Sequence, residues 1–349
     1  MTRSHALITR LRRSLRLLLA SCLYYSGLIA LHGFLRRKAF RRREICVLGL
    51  HRVLSEEERV QSNSLHGMVL KEETFGGLLE YLRRSFTVMS LETFLEHAVI
   101  YRAHKRPPCL LTFDDGWRDT YTRALPCLKR FGIPATVFVT TGYVGSPDAS
   151  WVERLSRSWE DSTRRSQIRT QMARVMPNGA RDAEFEEMVE CLKHMAAAQR
   201  DQLLAELLPV EKGPSGAEDV DRMLRWEQLI AMSNDGVQIG AHTVTHPLLT
   251  FEDDTVIERE LRGSKEALEA RLGKAVYAFA YPNGDWNERV RQWVVRTGYR
   301  CAFTTQRGWH RIGGDLFTVR RILLHEGNVT GWGGRFSPAA LGFTLARGR

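Results

Sequence analysis

The chain alternates short apolar runs with longer stretches in which apolar residues return at helical spacing. "EICVLGLHRV" (44–53) is rich in β-formers and reads as a buried strand ending at His51. "LKEETFGGLLEYLRRSF" (70–86) predicts a helix, "TVMS" a strand and "LETFLEHAVIYRA" a second helix. After Pro107 and Pro108 comes the strand "CLLTF", then "YTRALPCLKRFG", a helix stopped by Gly132, then the strand "PATVFVTT". Residues 150–225 break the alternation: they are charged, helical in pattern and punctuated by "PNG" and "KGPSG" loops. Their apolar stripe is thin, which predicts a helical insertion and not a separate domain. Alternation resumes with "WEQLIAMSNDG", "VQIGA", "TVIERELRGSKEALEARLG", "VYAFAYP", "NERVRQWVVRTG", "YRCAFTT" and a last strand "FTVRRILL". The pattern predicts an α/β chain of about seven parallel strands, as an open sheet or a closed barrel, with residues 336–349 as a tail. In such folds chemistry sits at the C-terminal ends of the strands.

Charge adds a second feature. The net charge is +11, yet eleven of the 51 basic residues and none of the 40 acidic ones fall in residues 1–43, so the body is neutral. Without a basic excess on the body, no nucleic-acid partner is expected. The basic segment also holds "LLLASCLYYSGLIALHGFL" (17–35), nineteen residues without a charge. That is near the ~20 residues a span needs, but Gly, Ser, Tyr and His32 dilute it, and basic flanks on both sides give no orientation. Three readings stand: an interfacial helix on anionic lipid, a single span, or a helix packed on the body. Six scattered cysteines (22, 46, 109, 127, 191, 301) predict free thiols in a reducing compartment. The expected location is therefore cytoplasmic, peripheral on or anchored in the inner face of the membrane.

Candidate chemistry falls at the predicted strand ends. "LLTFDDGWRD" places Asp114 and Asp115 side by side, where like charges cost stability unless something positive is near. "GAHTVTHP" supplies His242 and His246, with Pro247 disfavouring a helix there. It lacks the glutamate of HExxH and so is no zincin helix. Two imidazoles and one carboxylate make a divalent-metal set with an open position, and would leave the second carboxylate free. An Fe(II) oxygenase would share that set but expects an HxD pair in an all-β barrel, and neither pattern is present.

These residues resemble the polysaccharide deacetylase family, the NodB homology domain, in the branch similar to poly-N-acetylglucosamine deacetylases. "TFDDG" (112–116) and "HTVTHP" (242–247) carry the first two motifs intact. "AYPNG" stands for the third, with Ala280 in place of its arginine and Asn283 in place of its tyrosine. The resemblance covers about residues 44–325 and implies a distorted (β/α) barrel, with the catalytic domain at 44–335. It implies a hydrolase that removes N-acetyl groups from amino sugars of a polysaccharide or lipid-linked glycan. Asp115, His242 and His246 would hold the divalent metal, zinc above all, with Co2+, Ni2+ or Fe2+ as alternatives. Asp114 would be the general base and the backbone N–H of Asn283 an oxyanion donor. The general acid would be His51, in "LGLHRV", with His325, in "LLHE", as the alternative. Arg321 is a candidate for the missing arginine. Trp117, Tyr281 and Pro282 are candidate substrate contacts, and Trp226 and Trp286 are aromatic alternatives. Two other functions remain open: a non-catalytic glycan-binding module of the same fold, and hydrolysis of another C–N bond.

Overall fold

The computed structural model describes residues 3–39, 44–99, 106–146, 150–176, 184–208 and 220–348. The "PNG" and "KGPSG" loops lie outside the described residues, as does the end of the predicted helix beyond Val99.

Seven parallel strands close into a barrel in chain order: β1 (Glu44–Leu50), β2 (Pro108–Phe113), β3 (Thr136–Val139), β4 (Gln238–Ala241), β5 (Ala278–Ala280), β6 (Cys301–Arg307) and β7 (Val319–Leu323). Closure comes from β1, which pairs with β2 from Cys46↔Cys109 to Leu50↔Phe113 and with β7 at Leu48↔Ile322. Both Cys46 and Cys109 are buried free thiols despite facing each other across the ladder. A closed parallel sheet is buried on both faces, which is why the strands read as nearly unbroken apolar runs.

Alternation sorts the strand residues into two clusters. Ile45, Val47, Leu110, Phe138, Ala280, Phe303 and Val319 share the barrel interior with residues of the helix Leu91–Val99. Cys46, Leu48, Leu50, Leu111, Phe113 and Phe279 face the outer helices. The interior is crowded around Phe138 and Leu323, and two glycines make room for them. A Cβ on Gly240 would lie 2.5 Å from the Phe138 ring, and one on Gly49 2.5 Å from the Leu323 side chain. Larger residues there would overpack the interior.

The structure differs from expectation at both chain ends and in the insertion. Residues 336–349 are not a tail: Pro338–Ala346 is a helix whose Leu341 and Leu345 join the main core. The uncharged run 17–35 is not one element, because helix Arg3–Tyr25 ends before Gly27 (φ 76°) and a second helix runs Leu28–Ala39. No helix among the described residues is long and apolar enough to cross a membrane. The first helix packs on the last: Leu17 and Ala20 are buried, and the Tyr24 ring lies 3.1 Å from where a Cβ on Gly342 would stand. Arg16 donates to the Gly327 and Asn328 carbonyls and to Thr344 Oγ1. The insertion is less thin than its sequence suggests. Its helices Trp151–Glu160, Ser162–Val175, Phe185–Lys193 and Ala197–Leu207 build an apolar cluster of their own around Leu155, Met172, Met188 and Leu192.

Candidate active site

Each motif begins where a strand leaves the barrel. The Asp114 N–H donates to Leu50 O (2.9 Å), continuing the β1–β2 ladder one step past the strand. Asp115 (φ 73°) and Gly116 (φ 87°) then turn the chain sharply. Among the described residues, the only other non-glycine residues with positive φ are Thr243, His246 and Asn283, all in the second and third motifs. Such conformations cost roughly 1–3 kcal/mol each and persist where surrounding structure enforces them. For the second motif the enforcer is Glu260, buried on the helix Asp254–Leu272. It accepts from the N–H groups of Val244 and Thr245 and from Thr245 Oγ1 (2.7–2.9 Å). For the third motif it is Thr305, which donates to Asn283 O (2.8 Å); a Cβ on Gly284 would fall 2.1 Å from Thr305 N.

The adjacent aspartates face different partners. Alternation along β2 aims Asp114 into the barrel, where Arg321 of β7 donates to both its oxygens at 2.7 Å. Arg321 is fully buried and also donates to Thr304 O (2.9 Å). Burial alone would raise the Asp114 pKa; the charge and hydrogen bonds of Arg321 outweigh it and hold the carboxyl below its usual value. Asp115 turns toward the imidazoles instead. Its Oδ1 lies 3.4 Å from His242 Nε2 and 3.5 Å from His246 Nε2, and its Oδ2 accepts from Trp117 Nε1 (3.0 Å).

These three donors fit a single cation. Ligands about 2.1 Å from a tetrahedral ion stand about 3.4 Å from one another, which matches the Asp115–imidazole distances. All three ligand atoms lie within 4.8 Å of each other. His242 Nδ1 is 2.7 Å from Ala280 O and therefore carries the proton, leaving the Nε2 lone pair toward the site. At His246, burial first and the neighbouring His242 charge second push the pKa down to about 3, so that ring is neutral at ordinary pH.

A cavity of about 290 Å³ stands over this set. Asp114, Asp115, His242, His246, His51 and Asn283 all line it. No acceptor among the described residues takes the Asn283 N–H. The insertion adds Trp151, Glu153 and Lys193 to the lining, and Tyr143 joins them from the turn after β3. His325 is elsewhere: it caps the short helix Glu326–Val329 and lines an adjoining groove with Arg13, Arg59 and Lys71. Trp117 borders the cavity but is only 1% exposed, and Tyr281 and Pro282 do not line it. Tyr281 is fully buried among the outer-face residues, with its hydroxyl donating to Phe317 O (3.1 Å), and Pro282 is buried beside it. Trp226 and Trp286 pack against the main core.

The sequence reading missed the support beneath Trp117. Arg52, fully buried, stacks 4.2 Å over the indole, pairs with Asp119 (2.9 Å) and Asp221, and donates to Ser64 Oγ (2.8 Å). Ser64 in turn donates to Glu153 (3.1 Å). The available signal was a charged residue in the strand-like run "LHRVL", where burial demands a partner. Burial pushes the Glu153 pKa up to about 7, against the hydrogen bond from Ser150 and the charge of Arg52. An unfolded chain releases that proton near 4.5 while the folded chain keeps it, so stability falls as pH rises from about 4.5 through about 7. Glu153→Gln is expected to be more stable than the parent by about 2–3 kcal/mol at pH 8, with the gap closing below pH 5. Urea denaturation at both pH values reads this directly.

The polysaccharide deacetylase family model matches residues 102–302, more than half of the chain. The chain belongs to the polysaccharide deacetylase family. Within that family it is 21% identical over 218 residues to YxkH of Bacillus subtilis (strain 168), an alignment covering 62% of this chain and 52% of YxkH. The chain thus spans about half the length of that curated relative. Its fold is similar to that of the Streptococcus pyogenes deacetylase PplD in complex with acetate, with a TM-score of 0.55 and 21% identity over 82% of this chain and 94% of PplD. It is also similar to IcaB from Ammonifex degensii, with a TM-score of 0.55 and 19% identity over 86% and 97% of the two chains. A deacetylase barrel of this family is the frame for the Asp–His–His set.

Proposed function

We propose that this polysaccharide deacetylase homologue is a divalent-metal-dependent hydrolase that removes acetyl groups from N-acetylated amino sugars of a glycan. The observation that carries the reading is the convergence of Asp115, His242 and His246, with the carboxylate 3.4 and 3.5 Å from the two imidazoles, beside a buried, Arg321-paired Asp114. A cation held by the three residues, zinc being the best match to two imidazoles and a carboxylate, supplies Lewis-acid polarisation and a water of lowered pKa. Asp114, fixed as a carboxylate, takes the proton from the attacking water. The Asn283 N–H donates to the oxygen that becomes negative as the amide carbon turns tetrahedral. His51, which lines the cavity, protonates the departing amine, and Trp151 and Tyr143 supply aromatic lining against which a sugar ring can lie.

The test is elemental analysis of the purified full chain, followed by acetate release from N-acetylglucosamine oligomers. One metal per chain, lost in Asp115→Ala and His246→Ala together with acetate release, supports the proposal. A chain that takes up no zinc, cobalt or nickel would point to a glycan-binding module instead. For the acid, His51→Ala is expected to lower the rate by about 10²-fold with metal retained, and His325→Ala to change it less than about threefold. The reverse ranking would move the role to His325.

A further inference from the structure

We infer that the two N-terminal helices form a docking surface for an anionic lipid bilayer, lying along it without crossing. Helix Arg3–Tyr25 has two opposed faces. Leu17, Ala20 and Tyr24 turn inward onto the C-terminal helix. Leu11, Leu15, Leu18, Cys22 and Tyr25, spaced four, three, four and three apart, form a continuous stripe on the other side. On this stripe Leu11 is 69% exposed, Leu15 65%, Leu18 55% and Tyr25 78%. The second helix repeats the arrangement with Leu28, Leu31 and Leu35, each about half exposed. A soluble chain rarely leaves so many large apolar residues open on one segment, and such patches mark contact surfaces.

Charge selects the occupant. The segment 1–43 carries eleven Arg or Lys and no acidic residue. A second copy of the chain would bring the same positive segment against itself, whereas an anionic bilayer complements both the apolar stripe and the basic flanks.

The test uses the full chain with vesicles of phosphatidylcholine alone and of phosphatidylcholine with about 30 mol% phosphatidylglycerol, and it reads no catalysis. Co-sedimentation with the anionic vesicles, at least about tenfold tighter than with neutral ones and weakened several-fold by high salt, is the expected result. Leu15→Asp/Leu18→Asp should abolish it while leaving the urea midpoint unchanged, since both side chains point away from the body. Equal binding to neutral vesicles, no binding, or binding that survives the double substitution would overturn the inference. So would a dimer that the double substitution dissolves in a chain that ignores vesicles.

Discussion

Replacing Arg321 with alanine is expected to cost about 3–5 kcal/mol of stability and to lower acetate release by at least about 10²-fold. The guanidinium is fully buried, and it is the side chain that holds both oxygens of a carboxylate itself only 2% exposed. Removing it leaves Asp114 charged and unpaired in the barrel, so the carboxyl answers by taking a proton and ceases to be a base. Arg321→Lys keeps the charge but loses the two-pronged geometry and should fall between the extremes. A double-mutant cycle of Arg321→Met with Asp114→Asn separates pairing from packing. If the pair is the unit, the double variant is more stable than the sum of the single losses implies. A loss below about 1 kcal/mol for Arg321→Ala would contradict the burial argument.

Asp114→Asn is the second large effect, and it falls on chemistry. Loss of a general base of this kind lowers rates by about 10²–10⁴-fold. Metal content should stay near one per chain, because Asp115, His242 and His246 are untouched and Asp114 faces Arg321 instead of the imidazoles. Asp115→Ala reverses the split by losing metal and rate together. Two neighbouring aspartates thereby give two distinguishable signatures, and equal metal loss in both variants would refute the division of labour.

Much of the site was legible because its signals are local. "TFDDG" and "HTVTHP" each follow an apolar run, and the fold places both at strand ends around one mouth. His51 was readable for the same reason, at the end of β1. Arg321 was only a candidate, since 207 residues separate it from Asp114 and their contact depends on the barrel closing between β7 and β1. Tyr281 was misplaced by its motif. The strand alternation that sends Ala280 into the barrel turns Tyr281 outward to the helices. The insertion's core was hidden because each of its short helices brings only a few buried residues, such as Ile168 and Met172, and the cluster exists only when they meet. Glu260 and Arg52 were missed because their roles are to brace loops distant in sequence.

The insertion's separate core has a consequence for how such an enzyme can diversify. Residues that would do the chemistry stand on strand ends of the barrel, whereas Trp151, Glu153 and Lys193 come from a helical body with its own apolar packing. That body leaves the barrel after β3 and rejoins it before β4, with side-chain ties through Arg52 to Asp221 and through Ser64 to Glu153. On the proposed function, variation in this body would reshape the cavity lining, and with it the substrates admitted, while the strand-end residues keep their sequence. Exchange of this helical body between homologues would then test whether substrate range travels with it.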